Sequence, residues 1–219
     1  GKDFEKIVID EKEFINKLPN LLWLTEHPFS MFNEYLIPVH IAYEKINIKT
    51  DIMLSGYGSD VLFAGFAKPS DSLTKVANLI HSEYETTLWS NEASQTLGGH
   101  HGFNVAYPFF DSEVVDLSFS IDPYLKHKGG IEKYILRKAF EGQITDNVIS
   151  RKKVGIHEGS GCEDFFTNRL NDLGIYNNIR FEKDRYCYHI LKMLLEEAYL
   201  PNAEEIIAEA DHVFLDNMH

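Results

Sequence analysis

This 219-residue sequence is short of several features that define common protein classes. Its only cysteines are Cys162 and Cys187, too few for a disulfide framework or a four-cysteine zinc site, and this usage is typical of a reducing compartment. No apolar run approaches the ~18 residues that cross a membrane, and no secretory signal opens the chain. We therefore expect a cytoplasmic protein with no membrane partner.

Basic residues are also scarce. Lysine and arginine total 21 against 34 aspartates and glutamates, a net charge of −13. Nucleic-acid binding normally needs a basic stripe, so this balance argues against a nucleic-acid partner and against an anionic membrane surface. Local lysine clusters can still bind phosphates within an acidic protein. The length suffices for a buried core without disulfides.

Strand signals are few. We expect strands at 4–9 and 51–55, and residues 21–24 fit either a strand or a core helix. So few strands among many helices indicate part of an α/β domain rather than a whole one.

Helix signals are many. Asp10 and Asp111 are expected to cap helices, with Pro19 ending or bending the first and Pro38 interrupting the next. The helices after the first are predicted at 31–46, 68–90, 112–121, 131–140, 182–199 and 202–216. A loop or broken helix is expected at 91–105 and a partly irregular segment at 145–163.

The most informative segment follows the predicted strand at Ile52-Met53-Leu54. It reads Ser55-Gly-Tyr-Gly-Ser-Asp60, and its glycines allow a tight turn and a close approach to a ligand. Ligands of open α/β sheets bind beyond the carboxyl ends of the strands, where this turn lies. The turn sets a phenol and a carboxylate three residues apart. The alternative is an ordinary strand-to-helix turn.

A first basic cluster lies at a predicted helix start. Lys133 follows Gly129-Gly130 and shares a helix face with Arg137. Exposed N–H groups and the helix dipole favour anions there, so the cluster suits a phosphate site or, alternatively, a solvated basic face.

A second basic cluster contains Lys153. It precedes a stretch with three glycines at 155–161, which also carries His157. This arrangement suggests a mobile lid with an oxyanion-stabilising lysine at its base, or simply a basic loop. Metal binding by His100 and His101 is not expected, because no carboxylate or cysteine sits at ligand spacing.

A phenol accepts a proton usefully only if another group relays or stabilises that proton. Glu92 lies before a glycine-rich stretch, and a carboxylate there would serve if it approached Tyr57. The sequence leaves open whether Glu92 forms this dyad or is only exposed.

Four segments stand in order along the chain: Ser55-Gly-Tyr-Gly-Ser-Asp60, Tyr107-Pro-Phe-Phe-Asp111, Gly130-Ile-Glu-Lys-Tyr-Ile-Leu-Arg137 and Arg151-Lys-Lys-Val-Gly-Ile-His-Glu-Gly-Ser-Gly161. Taken together, they resemble the C-terminal synthetase domain of the asparagine synthetase superfamily, with the β-lactam synthetase and carbapenam synthetase branch as the nearer pattern. The likeness runs from about residue 5 to 165. Asparagine synthetases usually carry Gly-Glu-Gly where this chain has Gly56-Tyr57-Gly58.

The resemblance implies an α/β fold, namely the predominantly helical C-terminal portion of a Rossmann-like ATP-pyrophosphatase domain of the adenine nucleotide α-hydrolase-like type. It also implies an ATP-dependent carbon–nitrogen ligase that forms an acyl-adenylate and releases AMP. The small-molecule substrate would carry a carboxylate and an amine, and the product would be an amide ring, as in antibiotic biosynthesis.

Each site residue receives a role from the same resemblance. Catalysis would fall to Tyr57, Glu92 and Lys153, nucleotide binding to Gly56, Gly58 and Lys133, and Mg²⁺ binding to Asp60. Tyr57 and Glu92 would deprotonate the amine, Lys133 would bind pyrophosphate, and Lys153 would stabilise the oxyanion and the departing AMP.

One departure from the family pattern concerns the pyrophosphatase loop, a Ser-Gly-Gly-x-Asp-Ser sequence that this chain does not contain. Residues 1–219 are therefore expected to form the C-terminal part of a synthetase domain, without the strands that carry the loop and without the N-terminal glutaminase-like domain. Either the sequence is a fragment of a longer enzyme, or a second polypeptide supplies the loop; we expect one half of a two-chain synthetase, natural or produced by cleavage.

Other functions fit the same sequence. Asparagine synthesis and the macrolactam closure of lasso peptides would keep the fold and change the substrate. A synthetase half that has lost catalysis and acts as a scaffold is a third alternative, favoured by the missing loop and opposed by the retention of all five polar site residues.

Overall fold

The computed structural model describes residues 6–46, 50–89, 94–197 and 202–216. The chain divides into two compact units. The helical unit comprises Gly1–Lys49, Ala93–Gly102 and Val154–His219, and the sheet unit comprises Thr50–Glu92 and Phe103–Lys153.

The elements of the described residues are, in chain order, α1 (Glu11–Thr25), α2 (Ser30–Lys45), β1 (Ile52–Leu54), α3 (Ser59–Leu62), α4 (Leu73–Trp89), α5 (Ser94–His100), β2 (Asn104–Ala106), a 3₁₀ turn (Pro108–Phe110), α6 (Ser112–Ser120), α7 (Pro123–Lys126), α8 (Tyr134–Ala139), α9 (Asp146–Ile149), α10 (Ile156–Ser160), α11 (Cys162–Asp172), α12 (Ile179–Glu197) and α13 (Ala203–Asp216). None of the helices in these ranges combines the length and the apolar character needed to cross a bilayer.

The helical unit packs around α1. The Asp10 carboxylate accepts the Glu13 N–H at 2.8 Å, which confirms the expected N-cap. Apolar side chains of α1, α2, α11, α12 and α13 form one core, in which Phe14 of α1, Phe166 of α11 and Tyr186 of α12 are fully buried.

Two prolines lie inside these helices, although Pro38 was expected to interrupt its helix and Pro19 to end or bend the first. Pro19 does not end α1, and α2 continues past Pro38. A bend at Pro19 stays a prediction. A proline removes one N–H donor and crowds the preceding turn. Both proline rings are buried, however, so burial within the core offsets the lost hydrogen bond.

The structure also tests three other local expectations. The predicted strand at 4–9 is wrong in its described part, because residues 6–9 are not in a strand, while residues 4 and 5 lie outside the described residues. Residues 21–24 are helical, which is one of the two alternatives left open. The segment 145–163 is partly irregular as expected, since residues 150–155 form neither helix nor strand between α9 and α10.

The core of the helical unit also contains charged groups. Lys183 Nζ lies 2.6 Å from Glu34 Oε1 and donates to the Glu163 carbonyl at 2.9 Å, and the side chains of Lys183 and Glu34 are almost fully buried. Burial raises the pKa of Glu34, and the hydrogen bond from Lys183 opposes that shift. The pair stays together because either charge alone would be costly in this core.

The sheet unit is built on two parallel strands. Ile52, Met53 and Leu54 of β1 pair with Asn104, Val105 and Ala106 of β2. The strand β2 falls where a loop or broken helix was expected, because three residues are too few to show a period. A small parallel sheet among many helices confirms the α/β class in its general form.

Two small apolar clusters hold the helices of this unit. Leu62 and Phe63 pack with Val115 of α6, and a second cluster joins Ala64 to α4. Each cluster contains residues at the end of α3 or just after it. Buried side chains therefore fix the end of α3 that lies away from the turn after β1.

Candidate active site

The turn after β1 is shaped by a glycine in the left-handed region. Gly58 has φ +95° and forms the N-cap of α3. A Cβ at this position would lie 2.9 Å from a ring carbon of Phe110 and 3.0 Å from Phe109. Both backbone angle and space therefore require glycine here. At Gly56 a Cβ would meet nothing within 4 Å, so packing does not require glycine there.

A carboxylate and two ammonium groups meet at the start of α3. Asp60 Oδ1 lies 3.0 Å from Lys133 Nζ and 3.6 Å from Lys153 Nζ. These residues are distant in sequence and come from three different segments of the sheet unit. The structure thus brings together three of the site residues predicted from the sequence.

Asp60 Oδ1 is buried and accepts no well-directed hydrogen bond from the described residues, although both ammonium groups approach it. A buried carboxylate oxygen without such a bond is costly unless a further partner satisfies it. Mg²⁺ prefers oxygen ligands and commonly uses one or two carboxylates together with substrate phosphates and waters. Asp60 therefore fits a single protein ligand of Mg²⁺.

Gly65 closes over this carboxylate from the other side. Its N–H donates to the Asp60 carbonyl at 2.7 Å, and a Cβ at Gly65 would lie 1.9 Å from Asp60 Oδ1. The carboxylate can occupy its position only because residue 65 has no side chain. The role of Gly65 was not predictable from the sequence, since a single glycine inside an apolar stretch gives no specific signal.

Lys133 is held in a strained backbone conformation. It has φ +56° at the N-cap of α8, in the left-handed region that non-glycine residues seldom adopt. Its N–H donates to the Phe63 carbonyl at 3.1 Å, and its Nζ donates to Ser59 Oγ at 3.0 Å. Such strain persists where the surroundings impose it, and it often marks functional positions.

Lys153 reaches the carboxylate across an aromatic ring. Its Nζ lies 4.3 Å from the centre of the Phe66 ring, within the range of a cation–π contact. One third of the side chain is exposed. The lysine is thus guided by Phe66 toward Asp60 while its ammonium group remains accessible to a ligand.

A buried lysine supports α3 from behind. Lys126 Nζ donates to Ser118 Oγ at 3.0 Å, and Ser118 Oγ donates at 2.9 Å to the carbonyl of Leu62, the last residue of α3. Burial lowers the pKa of Lys126 to about 8. Its partner is a neutral hydroxyl, so nothing in this contact compensates the charge of a protonated ammonium group.

Arg137 does not join this carboxylate cluster. Its guanidinium binds Glu132 and the carbonyls of Ile149 and Arg151. The sequence left open whether Arg137 binds a phosphate or lies on a solvated basic face. In the structure its guanidinium contacts protein groups instead. A groove of about 480 Å³ runs beside it, between the 130–141 and 149–152 segments.

Tyr57 lies in the turn between β1 and α3. Its ring centre is 5.6 Å from that of Phe110 and 6.1 Å from that of Tyr107. Glu92, its expected partner, lies outside the described residues. The Tyr57–Glu92 dyad therefore stays a prediction.

The glycine-rich stretch expected to form a lid belongs to the helical unit and contains α10. Glu158 Oε2 accepts the Gly155 N–H at 3.0 Å, which caps this short helix. His157 Nε2 lies 3.9 Å from Glu163 Oε2. The mobility of this segment stays a prediction.

Comparison with known proteins identifies the family. The sequence model described as asparagine synthase matches residues 1–97 and 75–174, more than half of the chain. The chain belongs to the asparagine synthase family. This confirms the resemblance inferred from the four motifs.

Relatives from two branches are similar to this member of the asparagine synthase family. The carboxyethyl-arginine β-lactam-synthase of Streptomyces clavuligerus is 31% identical across 78% of this chain and 33% of its own length. Asparagine synthetase 1 of Bacillus subtilis is 48% identical across 68% of this chain and 37% of its own length. The asparagine synthetase of Asparagus officinalis is 28% identical across 76% of this chain and 32% of its own length. The chain thus spans about a third of the length of these relatives.

Proposed function

We propose that this chain is the C-terminal part of an ATP-dependent carbon–nitrogen ligase that forms an amide through an acyl-adenylate. The observation that carries the proposal is the convergence of Lys133 and Lys153 on Asp60 at the carboxyl end of β1. A nucleoside triphosphate is highly anionic, and two ammonium groups beside a Mg²⁺-binding carboxylate would bind its phosphates.

The proposed reaction has two steps. A carboxylate oxygen of the substrate attacks the α-phosphorus of ATP, and pyrophosphate leaves with the electrons of the broken phosphoanhydride bond. An amine nitrogen then attacks the acyl carbon, AMP departs, and the amine proton passes to a base. When bound, Mg²⁺ would neutralise phosphate charge, held on this chain by Asp60.

The chain's own residues divide these tasks. Lys133, fixed through its backbone and Ser59, binds the leaving pyrophosphate. Lys153 stabilises the negative charge that develops on the acyl oxygen and then on AMP. Gly56 and Gly58 let the turn approach the nucleotide closely, and at Gly58 the aromatic packing already excludes a larger residue.

We further propose that the amine belongs to the same substrate molecule, so that the product is a ring. A substrate amine is largely protonated at neutral pH and needs a base, whereas delivered ammonia does not. Tyr57 stands where asparagine synthetases usually carry glutamate, and Tyr57 with Glu92 would form that base. The similarity to a β-lactam synthase supports this choice, and the similarity to asparagine synthetases keeps asparagine synthesis as the alternative.

A second polypeptide, or a further part of the same one, would complete the site with a Ser-Gly-Gly-x-Asp-Ser loop and the remaining strands of a Rossmann-like sheet. Parallel strands are normally covered on both faces. In β1 the side chains of Ile52 and Leu54 are instead 57% and 69% exposed. These apolar side chains support the proposal that additional structure covers β1.

ATP–pyrophosphate exchange tests the proposal on the protein together with any chain that co-purifies from its source. A panel of amino-acid-derived substrates is compared with aspartate and with linear peptides. Lys153→Ala should reduce the rate of amide formation, followed as AMP release, by roughly 10²–10³, the cost of one preorganised oxyanion contact. Lys152→Ala removes the same charge from the neighbouring, exposed residue and should leave amide formation near the parent value.

The panel also separates the alternatives. Ring closure predicts exchange with a substrate that carries its own amine, and Tyr57→Phe should then slow amide formation more than exchange. Equal losses in the two steps would refute the base role of Tyr57. A complex in which Lys153→Ala leaves every activity unchanged would favour a scaffold function. An isolated chain that forms AMP and pyrophosphate from ATP would exclude the need for a second polypeptide.

A further inference from the structure

Arg137 uses its guanidinium to join two separate segments of the sheet unit. Its Nε donates to the Glu132 carbonyl at 2.9 Å, and one terminal nitrogen donates to Glu132 Oε1 at 2.5 Å. The other terminal nitrogen donates to the carbonyls of Ile149 and Arg151, the latter at 3.0 Å. All three guanidinium nitrogens are therefore engaged, and four-fifths of the side chain is buried.

Both joined segments carry a lysine of the candidate active site. Lys133 precedes Arg137 by one helical turn, and the Arg137 N–H donates to the Lys133 carbonyl at 2.9 Å. Lys153 follows Arg151 by two residues. Fixing the Arg151 carbonyl to α8 therefore fixes the backbone from which Lys153 reaches Asp60 Oδ1.

We propose that Arg137 is a positioning residue that sets the location of Lys153 relative to Lys133 and Asp60. This inference rests on the proposed function of the two lysines. The segment 149–153 has no strand and only the end of the short helix α9, so it depends on such side-chain bonds for its geometry. A planar guanidinium can bind several acceptors at once, and a lysine ammonium cannot reproduce that fork.

The test is a double-mutant cycle on the protein with its co-purifying chains, measured as the rate of amide formation with a substrate that ATP–pyrophosphate exchange has identified. Arg137→Met should reduce amide formation by about 10- to 100-fold, because a misplacement near 1 Å can cost this much. Lys138→Met is the matched control, since Lys138 is the next residue, is half-exposed and forms an ion pair with Glu141 rather than with the 149–153 segment. The Lys138→Met variant should keep an activity within about twofold of the parent, because surface ion pairs contribute little.

The cycle distinguishes positioning from general destabilisation. If Arg137 acts through Lys153, then adding Arg137→Met to Lys153→Ala should cause little further loss. Arg137→Lys, which keeps the charge without the fork, should behave like Arg137→Met. Unfolding temperatures of all variants are measured, and amide formation is assayed well below the lowest of them. If Arg137→Met does not fold, Glu132→Gln weakens the same clamp and should give a smaller loss that is again non-additive with Lys153→Ala.

The outcomes separate this inference from the function on which it rests. If Lys153→Ala has no effect on amide formation, the proposed function of Lys153 fails. If Lys153→Ala reduces amide formation but Arg137→Met does not, or if their losses multiply, then only the positioning role of Arg137 is overturned.

Discussion

Acidification should destabilise the helical unit through one buried histidine. His40 on α2 is only 1% exposed. Its Nε2 lies 2.7 Å from Asn20 Oδ1, and its Nδ1 lies 3.1 Å from His101 Nε2. An amide oxygen only accepts, so His40 Nε2 carries the proton and Nδ1 accepts from His101. A second proton on His40 would set two N–H donors against each other.

Burial is the main reason that the pKa of His40 falls from 6.5 to about 4, with smaller lowering contributions from His101, Lys17 and His100 and an opposing one from Glu44. The folded pKa lies below the unfolded value, so the contribution to stability is fully present above pH 6.5 and is lost as the pH falls toward 4. The shift of roughly 2.5 units corresponds to about 3 kcal/mol of unfolding free energy.

Native-state hydrogen exchange, followed on peptides from α2 between about pH 7 and pH 4, measures this loss. The parent and His40→Gln are compared after correction for intrinsic exchange, because other groups titrate in both. The pH dependence should be shallower in His40→Gln by about 3 kcal/mol over this range. His212→Gln is the control, since that side chain is 77% exposed. If His40→Gln and the parent lose protection in parallel, the assignment to His40 is wrong.

Three further outcomes follow from buried groups. The free energy of unfolding should rise by about 1.4 kcal/mol from pH 7 to about pH 9, as the lowered pKa of Lys126 is crossed, and Lys126→Met should abolish that rise in urea titrations. Lys183→Met should cost about 3–5 kcal/mol, whereas combining it with Glu34→Leu should cost far less, as measured by denaturant unfolding. Gly65→Ala places a methyl 1.9 Å from a carboxylate oxygen and should weaken Mg²⁺-dependent pyrophosphate binding in calorimetry, while Gly99→Ala, which meets nothing within 4 Å, should not.

Short-range signals predicted much of the secondary structure. The capping carboxylates of Asp10 and Asp111 accept the N–H groups of Glu13 and Glu113 as expected. The apolar run at β1 forms a strand, since a parallel strand needs no alternation. The two caps depend on residues within a few positions of one another, so the sequence contains their whole cause.

Features with long-range causes were not predictable in the same way. Pro19 is tolerated because the core formed by distant helices covers it, and β2 exists because β1 lies beside it. In the candidate site, the motifs indicated Asp60, Lys133 and Lys153 but not Gly65, whose role depends on a single carboxylate oxygen in space.

The chain order of the helical unit has a consequence for synthesis. The apolar face of α1 packs against α12 and α13, which are the last two helices of the described chain. Roughly 150 residues separate α1 from α12. At 5–20 residues per second, the ribosome needs on the order of 10 s to reach the helices that pack on this face of α1. During that interval the part of the apolar stripe of α1 that faces α12 and α13 has no cover from them, and it is a natural binding site for a chaperone.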